Sequence, residues 1–205
     1  MATQLVNMKG EEFVRKILAG ERDFSRIKLE EGFDLAGYEG FSEMLEYLIK
    51  TDLQKSPLIL DYSELKGIKA KELYLPFVRG EEAHFEEADL REAYFEGAYF
   101  KGAGFGRADL HGANFCGAYL REAYFCRADL HGSYFEGACF LGANFCRADL
   151  EMADLRRVKN LEDALYIERA NFYNTRVTNK EKAIIKKALK KKQLFVVDEE
   201  GLNKN

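Results

Sequence analysis

Five side chains with metal-binding chemistry are separated by multiples of five residues in the middle of the chain. They are His111, Cys116, Cys126, His131 and Cys146. Imidazole and thiolate groups are preferred zinc ligands, and four of them can complete a structural zinc site. Their spacing, however, matches no zinc-finger pattern. We therefore expect no metal and no cofactor at these residues.

The sequence also lacks the motifs that are typical of catalytic sites. It contains no glycine-rich phosphate loop, no nucleophile elbow and no metalloprotease helix. The sequence therefore predicts a protein that is not an enzyme and that has no small-molecule substrate.

The feature that must position these side chains is a repeat of five residues. From Ala83 to Arg157 the chain consists of fifteen consecutive blocks with the consensus Ala-(Asp/Asn/Tyr)-(Leu/Phe)-X-X, and Ser133 is the only opening residue that is not Ala. A period of five fits neither the 3.6-residue period of a helix nor the two-residue period of a strand. Internal repetition therefore decides the fold.

A second period of twenty residues lies on top of the first. Arg107–Gly112 has the same sequence as Arg127–Gly132, and Phe125-Cys126-Arg127 recurs twenty residues later. Twenty residues are four blocks, which predicts a coil with four sides. The first and third residues of each block are expected to point inward and the other three to face solvent.

These blocks resemble the pentapeptide-repeat family. The resemblance implies an all-β solenoid with short helices, specifically a right-handed quadrilateral β-helix. Some members of that family protect DNA gyrase from quinolones, apparently by imitating DNA, and others act in bacterial development. Because one fold hosts many functions, the resemblance identifies no particular role.

Within the coil, the third residue of each block should stack on its equivalents about 4.8 Å away, the usual distance between strands. The predicted structural core is Phe85, Leu90, Phe95, Phe100, Phe105, Leu110, Phe115, Leu120, Phe125, Leu130, Phe135, Phe140, Phe145, Leu150 and Leu155. An interior filled by these side chains leaves no cleft for a catalytic site.

A ladder of charges is expected on the outside of the coil. It consists of Arg107, Arg127 and Arg147, each two residues before Asp109, Asp129 and Asp149. One interpretation is a network of ion pairs within and between coils. The other is an acidic stripe that imitates DNA. The first is favoured because an Arg accompanies every Asp.

Helices are predicted at three places outside the regular blocks. The first covers about Lys9 to Ala19, ends at Gly20 and caps the coil. The second lies near residues 41–52 and is inserted between coils, as a packing helix or as a recognition element. The third, at about 179–192, begins at the capping box Thr178-Asn179-Lys180-Glu181. A short strand at Leu194–Val197 is expected after it.

The predicted organisation has three segments. Residues 1–57 hold the first helix, an irregular first coil and the insertion; residues 58–157 form about five coils, most regular over 83–157; residues 158–205 hold a degenerate coil, the last helix and a tail. Ile184, Ile185 and Leu189 give the last helix an apolar stripe, which either covers the last coil or forms a homodimer interface. Its lysines offer a further possibility, contact with nucleic acid.

Composition bears on the location of the protein and on its cysteines. The 205 residues carry a net charge of -4, with no apolar run that could span a membrane and no signal-peptide pattern at the start. We therefore expect a cytoplasmic protein without membrane contact. The four cysteines form no disulfide framework, and whether Cys126 and Cys146 are bridged stays open.

Two functional hypotheses follow. The first is a non-catalytic scaffold that binds an unknown protein partner. The second is a DNA mimic that binds and protects DNA gyrase. The modest net charge and the lysine-rich last helix favour the scaffold.

Overall fold

Each five-residue block forms one side of a coil in the computed structural model, which describes the backbone of residues 4–201 and the side chains of residues 4–190. Parallel bridges join the second residues of blocks that are twenty residues apart, as in the pairs Tyr99–Tyr119 and Asp109–Asp129. Four blocks therefore complete one turn of a parallel β-solenoid. The right-handed sense of the coil stays a prediction.

The corners of the coil account for the five-residue period. The last residue of a block has a positive φ, such as +58° at Arg107 and +68° at Gly112. At the first of these corners the N–H of Ala108 donates to the carbonyl of Phe105 at 3.1 Å. A positive φ at the third residue of a hydrogen-bonded turn is typical of a type II turn. Two turn residues and a short extended stretch thus make one block.

The interior is filled by the first and third residues of the blocks. All fifteen Phe and Leu side chains of the predicted core lie inside the solenoid, each at most 1% exposed. The rings of Phe105, Phe125 and Phe145 stack with centroids 5.1 and 5.3 Å apart and planes within 5°. Such stacking follows from the close packing that a closed interior requires.

The N-terminal end adds an irregular rung to the solenoid. β1 (Val6–Met8) pairs in parallel with β2 (Ile27–Leu29), and α1 (Gly10–Leu18) lies between them in sequence. Phe13 of α1 packs edge-on against Phe24, with ring centroids 4.8 Å apart. The helix thereby covers apolar side chains at the start of the coil.

The second helix, α2 (Phe41–Lys50), interrupts the coil. Asp23 bridges to Ile59, 36 residues later, whereas regular coils bridge across twenty. The additional residues leave the coil as α2 and return to it. Phe41, Met44 and Leu48 of α2 are buried in the common core, so the helix is held against the side of the solenoid.

Extra residues also distort the last coil. Asn144 bridges to Leu165, 21 residues later, and Asp149 to Asn171, 22 residues later. The 3-10 turns Leu161–Asp163 and Ile167–Arg169 occupy this region. They loosen the four-sided pattern just before the C-terminal helix.

The C-terminal helix, α3 (Asn179–Gly201), is longer than the sequence indicates. The expectation of a strand at Leu194–Val197 was wrong, because these residues continue the helix. A helix that has started adds residues at little cost, so its strong start favours continuation. That start is the capping box, in which the N–H of Thr178 donates to Oε2 of Glu181 at 2.8 Å. None of the helices in the described residues is long and apolar enough to cross a membrane.

Candidate interaction surface

The potential metal ligands are distributed over three sides of the coil. His111 and His131 stack with ring centroids 5.0 Å apart, Cys126 and Cys146 lie on the preceding side, and Cys116 lies on the following side. All four cysteines are free thiols. In the described part of the chain, no three His, Cys, Asp or Glu side chains come together in an arrangement that could hold a metal ion.

Two of the thiols, those of Cys116 and Cys126, are poorly suited to act as nucleophiles. Burial raises the pKa of Cys116 above the ordinary thiol value. Burial also raises the pKa of Cys126, and the neighbouring Cys146 thiol adds to that effect. Since the thiolate is the reactive form, a raised pKa lowers reactivity at neutral pH.

The Arg–Asp ladder does not pair as the sequence indicates. Arg107 contacts Glu87 of the preceding coil at 3.4 Å instead of Asp109, and Asp109 lies 3.5 Å from Arg91. Among the described side chains, no ion pair forms at Arg127 or Arg147. At the last block position Arg107 has Glu87 one coil away, whereas Arg127 lies between Arg107 and Arg147 and meets no carboxylate there.

The aspartates of this ladder instead accept hydrogen bonds from the backbone. Oδ1 of Asp109, Asp129 and Asp149 accepts the N–H of the residue two positions later, at 2.9 to 3.2 Å. Such local bonds favour a turn. Ion pairs between coils do occur elsewhere, as between Lys101 and Glu81 at 2.8 Å.

The most deeply buried carboxylate of the coil belongs to Asp154, which is 4% exposed. The guanidinium of Arg156 donates from Nη2 to Oδ2 at 2.6 Å and from Nε to Oδ1 at 2.9 Å. Hydrogen bonds from the Arg156 side chain, more than the charges of Arg156 and Arg176, hold the pKa of Asp154 below its ordinary value.

We expect Asp154→Asn to destabilise the protein at neutral pH, and the difference from wild type to shrink below about pH 4. A carboxyl whose pKa is depressed on folding stabilises the protein above its unfolded pKa, and that stabilisation is lost as pH falls through the folded pKa. Melting temperatures of both proteins across acidic pH provide the test. A difference that stays constant into strong acid would contradict this origin.

The C-terminal apolar stripe is largely used inside the protein. Ile185 is 7% exposed and belongs to the common core, while Ile184 is partly buried against it. Leu189 remains 39% exposed. The helix therefore covers the last coil with these side chains, and a homodimer through it stays a prediction.

Exposed tyrosines are the feature that sequence reasoning missed. They occupy the second position of a block, on the outside of the coil, and each is about half exposed: Tyr94, Tyr99, Tyr119, Tyr124 and Tyr134. Tyrosine is enriched at protein interfaces because it offers a large apolar ring with a polar tip. The signal was present in the block itself, whose second position alternates among Asp, Asn and Tyr.

One depression lies between α2 and the side of the solenoid. It has a volume of about 560 Å³ and its lining includes Leu45, Ile49, Tyr74 and Tyr94. Ile49 is 60% exposed although the opposite face of α2 is buried. The insertion therefore packs on the coil with one face and forms the wall of a groove with another.

A second depression, of about 450 Å³, continues from the first. Its lining includes Tyr94, His111, Asn114 and Tyr134. Asn114 lies one coil from Tyr94 and one coil from Tyr134, between the two. Its smaller side chain leaves space between the two rings. Both depressions share Tyr94 and Glu92. We refer to them together as the tyrosine groove.

The charges at the rim of the tyrosine groove are mixed. Lys71 lies 3.1 Å from Glu72 and 3.2 Å from Glu92, and hydrogen bonds to these two carboxylates raise the pKa of Lys71. An apolar and aromatic floor with a polar rim is the usual anatomy of a protein interface.

Comparisons with known proteins agree with this architecture. Residues 81–115 and 108–145 match the sequence model of pentapeptide repeats, with eight copies of the repeat. A pentapeptide repeat protein from the thylakoid lumen of Arabidopsis thaliana is 22% identical over 58% of this chain and 75% of its own, with a TM-score of 0.43. A comparison with curated protein sequences found no match.

Two further solved structures are similar over more of the chain. A trypsin-treated variant of QnrB1, a plasmid-mediated fluoroquinolone resistance protein, is 14% identical over 91% of this chain and 97% of its own, with a TM-score of 0.32. HetL, a regulator of heterocyst differentiation from the cyanobacterium Nostoc, is 18% identical over 82% of this chain and 94% of its own, with a TM-score of 0.22. The repeat of this family is therefore present in eight copies between residues 81 and 145.

Proposed function

We propose that this protein is a non-catalytic scaffold that binds a protein partner through the tyrosine groove. The observation that supports the proposal is the continuity of the groove from Ile49 on α2, past Tyr94, to Tyr134. Tyrosine is among the residues that most often contribute the binding energy of an interface. A rigid β-solenoid holds these side chains in place, so little conformational freedom is lost on binding.

The shape of the molecule agrees with a binding role. The solenoid interior is filled by stacked Phe rings and by Leu side chains, so the binding surfaces lie on the outside of the coil. There the long depressions are shallow, whereas enzymes usually bury a substrate in a concave pocket. A cytoplasmic location remains part of the proposal and rests on the sequence alone.

The test is affinity capture from cell lysate with groove variants. Ile49→Glu and Tyr94→Glu place a charge in the proposed contact, and we expect each to reduce recovery of the partner by about tenfold or more. Tyr124→Glu is the control, because Tyr124 is equally exposed but lies outside the groove. Equal recovery with all three variants would exclude the groove as the binding surface.

A second candidate function is binding to DNA gyrase as a DNA mimic, and one observation favours it. Residues 78–97 form one coil with seven acidic and two basic side chains, a net charge of -5. The adjoining coil 98–117 carries one acidic and two basic side chains. DNA presents a charge every 1.7 Å along its axis, whereas this acidity is confined to one rung. The scaffold is therefore the preferred function.

A gyrase supercoiling assay separates the two functions. We expect no inhibition and no protection from quinolones when the protein is added at a large excess over gyrase. Protection that disappears in a variant with Glu81, Glu82, Glu86 and Glu87 changed to Gln would instead support the DNA mimic.

A further inference from the structure

A separate cleft lies at the opposite end of the molecule, between the last coil and α3. Its volume is about 590 Å³, and it is at least as open to solvent as the tyrosine groove. The side chains that line it fall into two groups with different chemistry. The cationic group is Arg156, Arg176, Lys182 and Lys186, and the apolar group includes Phe172, Val177 and Ile185.

The apolar group forms the floor of the cleft. Ile185 is buried in the core, and Phe172 and Val177 are partly buried against it. The exposed surfaces of Phe172 and Val177 can therefore cover an apolar ligand without a change in packing, with Ile185 beneath them. Removing such surfaces from water is favourable in proportion to their area.

Nearby carboxylates do not balance all the positive charge of the cationic group. Arg156 is occupied by Asp154 through two hydrogen bonds, and Arg176 reaches the same carboxylate only at 3.5 Å. Among the described side chains, no ion pair forms at Lys182 or Lys186. The first turn of α3 adds the partial positive charge of a helix N-terminus. Among the described side chains, the carboxylates that pair with these four cations are Asp154 and Glu136, the latter 3.8 Å from Arg156.

We propose that this cleft binds a small phosphate ester with an apolar or aromatic body. Arg176, Lys182 and Lys186 hold the phosphate, since guanidinium and ammonium groups form strong charge-assisted hydrogen bonds to phosphate oxygens. Phe172, Val177 and Ile185 contact the body. The ester is a bound ligand and not a substrate, and this site is independent of the tyrosine groove.

Calorimetry with simple compounds tests the two halves of the site. Phenyl phosphate and adenosine monophosphate are expected to bind in a 1:1 ratio at low ionic strength, and inorganic phosphate more weakly because it leaves the floor uncovered. Phenol and adenosine, which lack the phosphate, should show no measurable binding. Phe172→Ala should weaken the binding of phenyl phosphate and leave the binding of inorganic phosphate unchanged.

Charge-reversal variants locate the phosphate. Lys182→Glu combined with Lys186→Glu is expected to lower the affinity for phenyl phosphate by about tenfold or more. Lys187→Glu combined with Lys190→Glu makes the same change in net charge on the same helix, at residues outside the cleft, and should have less than about a twofold effect. Circular dichroism and melting temperature verify that each variant is folded.

Three results would overturn the proposal. The first is absence of phenyl phosphate binding to the wild-type protein. The second is equal weakening by the two double variants, which would indicate a general attraction of the helix for anions. The third is binding of an acidic peptide or duplex DNA with no binding of either ester, which would assign the cleft to a macromolecule.

Discussion

Phe125→Ala should lower the free energy of unfolding by about 3 to 5 kcal/mol. Phe125 is fully buried, and its ring stacks on Phe105 and Phe145 and meets Phe115 edge-on at 6.0 Å. Coils above and below are fixed by backbone hydrogen bonds twenty residues apart. The neighbours therefore cannot collapse into the cavity, and the full cost of the lost contacts and of the cavity remains.

Denaturant unfolding of the wild type and the variant measures this effect. Tyr124→Ala is the matched control, since Tyr124 is the adjacent residue in the same block but is 54% exposed. We expect a change below about 1 kcal/mol there. If the two substitutions cost the same, the inward direction of the third block position would be wrong.

Ala128→Leu is expected to destabilise the protein by about 1 to 3 kcal/mol through overpacking. Ala128 opens its block and is 1% exposed, and its N–H donates to the carbonyl of Phe125 at 3.0 Å at the corner of the coil. A larger side chain at that corner meets the stacked rings, and the solenoid cannot widen at one rung alone.

The same unfolding experiment, with Tyr124→Leu as the control, isolates this effect. Both variants introduce a Leu side chain, but only Ala128→Leu places it in the interior of the solenoid. We expect the melting temperature of Ala128→Leu to fall well below that of Tyr124→Leu. A variant as stable as wild type would mean that the first block position has room beside it, contrary to a filled interior.

The regular part of the fold was predictable because its cause is local. Every block repeats the same turn, so the alternation of Ala and Phe or Leu directly indicates which side chains face inward. The resemblance to pentapeptide repeats is confirmed by the matched copies, and the parallel bridges twenty residues apart show the β-solenoid. The division of the chain into three segments has not been tested in the same way.

The surface was harder to predict because it depends on which residues meet across coils. Their separation by two residues suggested that Arg107 pairs with Asp109, yet the side chain of Arg107 meets Glu87 of the preceding coil. Likewise, the apolar face of α2 was recognisable, but nothing in its sequence says that Ile49 lies across from Tyr74 and Tyr94. That arrangement follows from where the insertion leaves and rejoins the coil.

The two proposed sites differ in the chemistry they offer. The tyrosine groove is shallow, aromatic and rimmed by paired charges, which suits a protein surface. The cleft beside α3 is bounded by four cations, which outnumber the paired carboxylates of Asp154 and Glu136, and this excess suits a small anion. Failure of either assignment leaves the other intact, because different residues and different measurements define them.

Photo-cross-linking from the tyrosine groove tests whether this surface binds a protein. A benzophenone amino acid replaces Tyr94 in one variant and Tyr124 in another. Cells that contain either variant are irradiated, and nucleic acid is then digested in the lysate. We expect a discrete protein adduct from position 94 that is absent from position 124. The same adducts from both positions, or no adduct from position 94, would contradict a partner-binding scaffold organised around the groove.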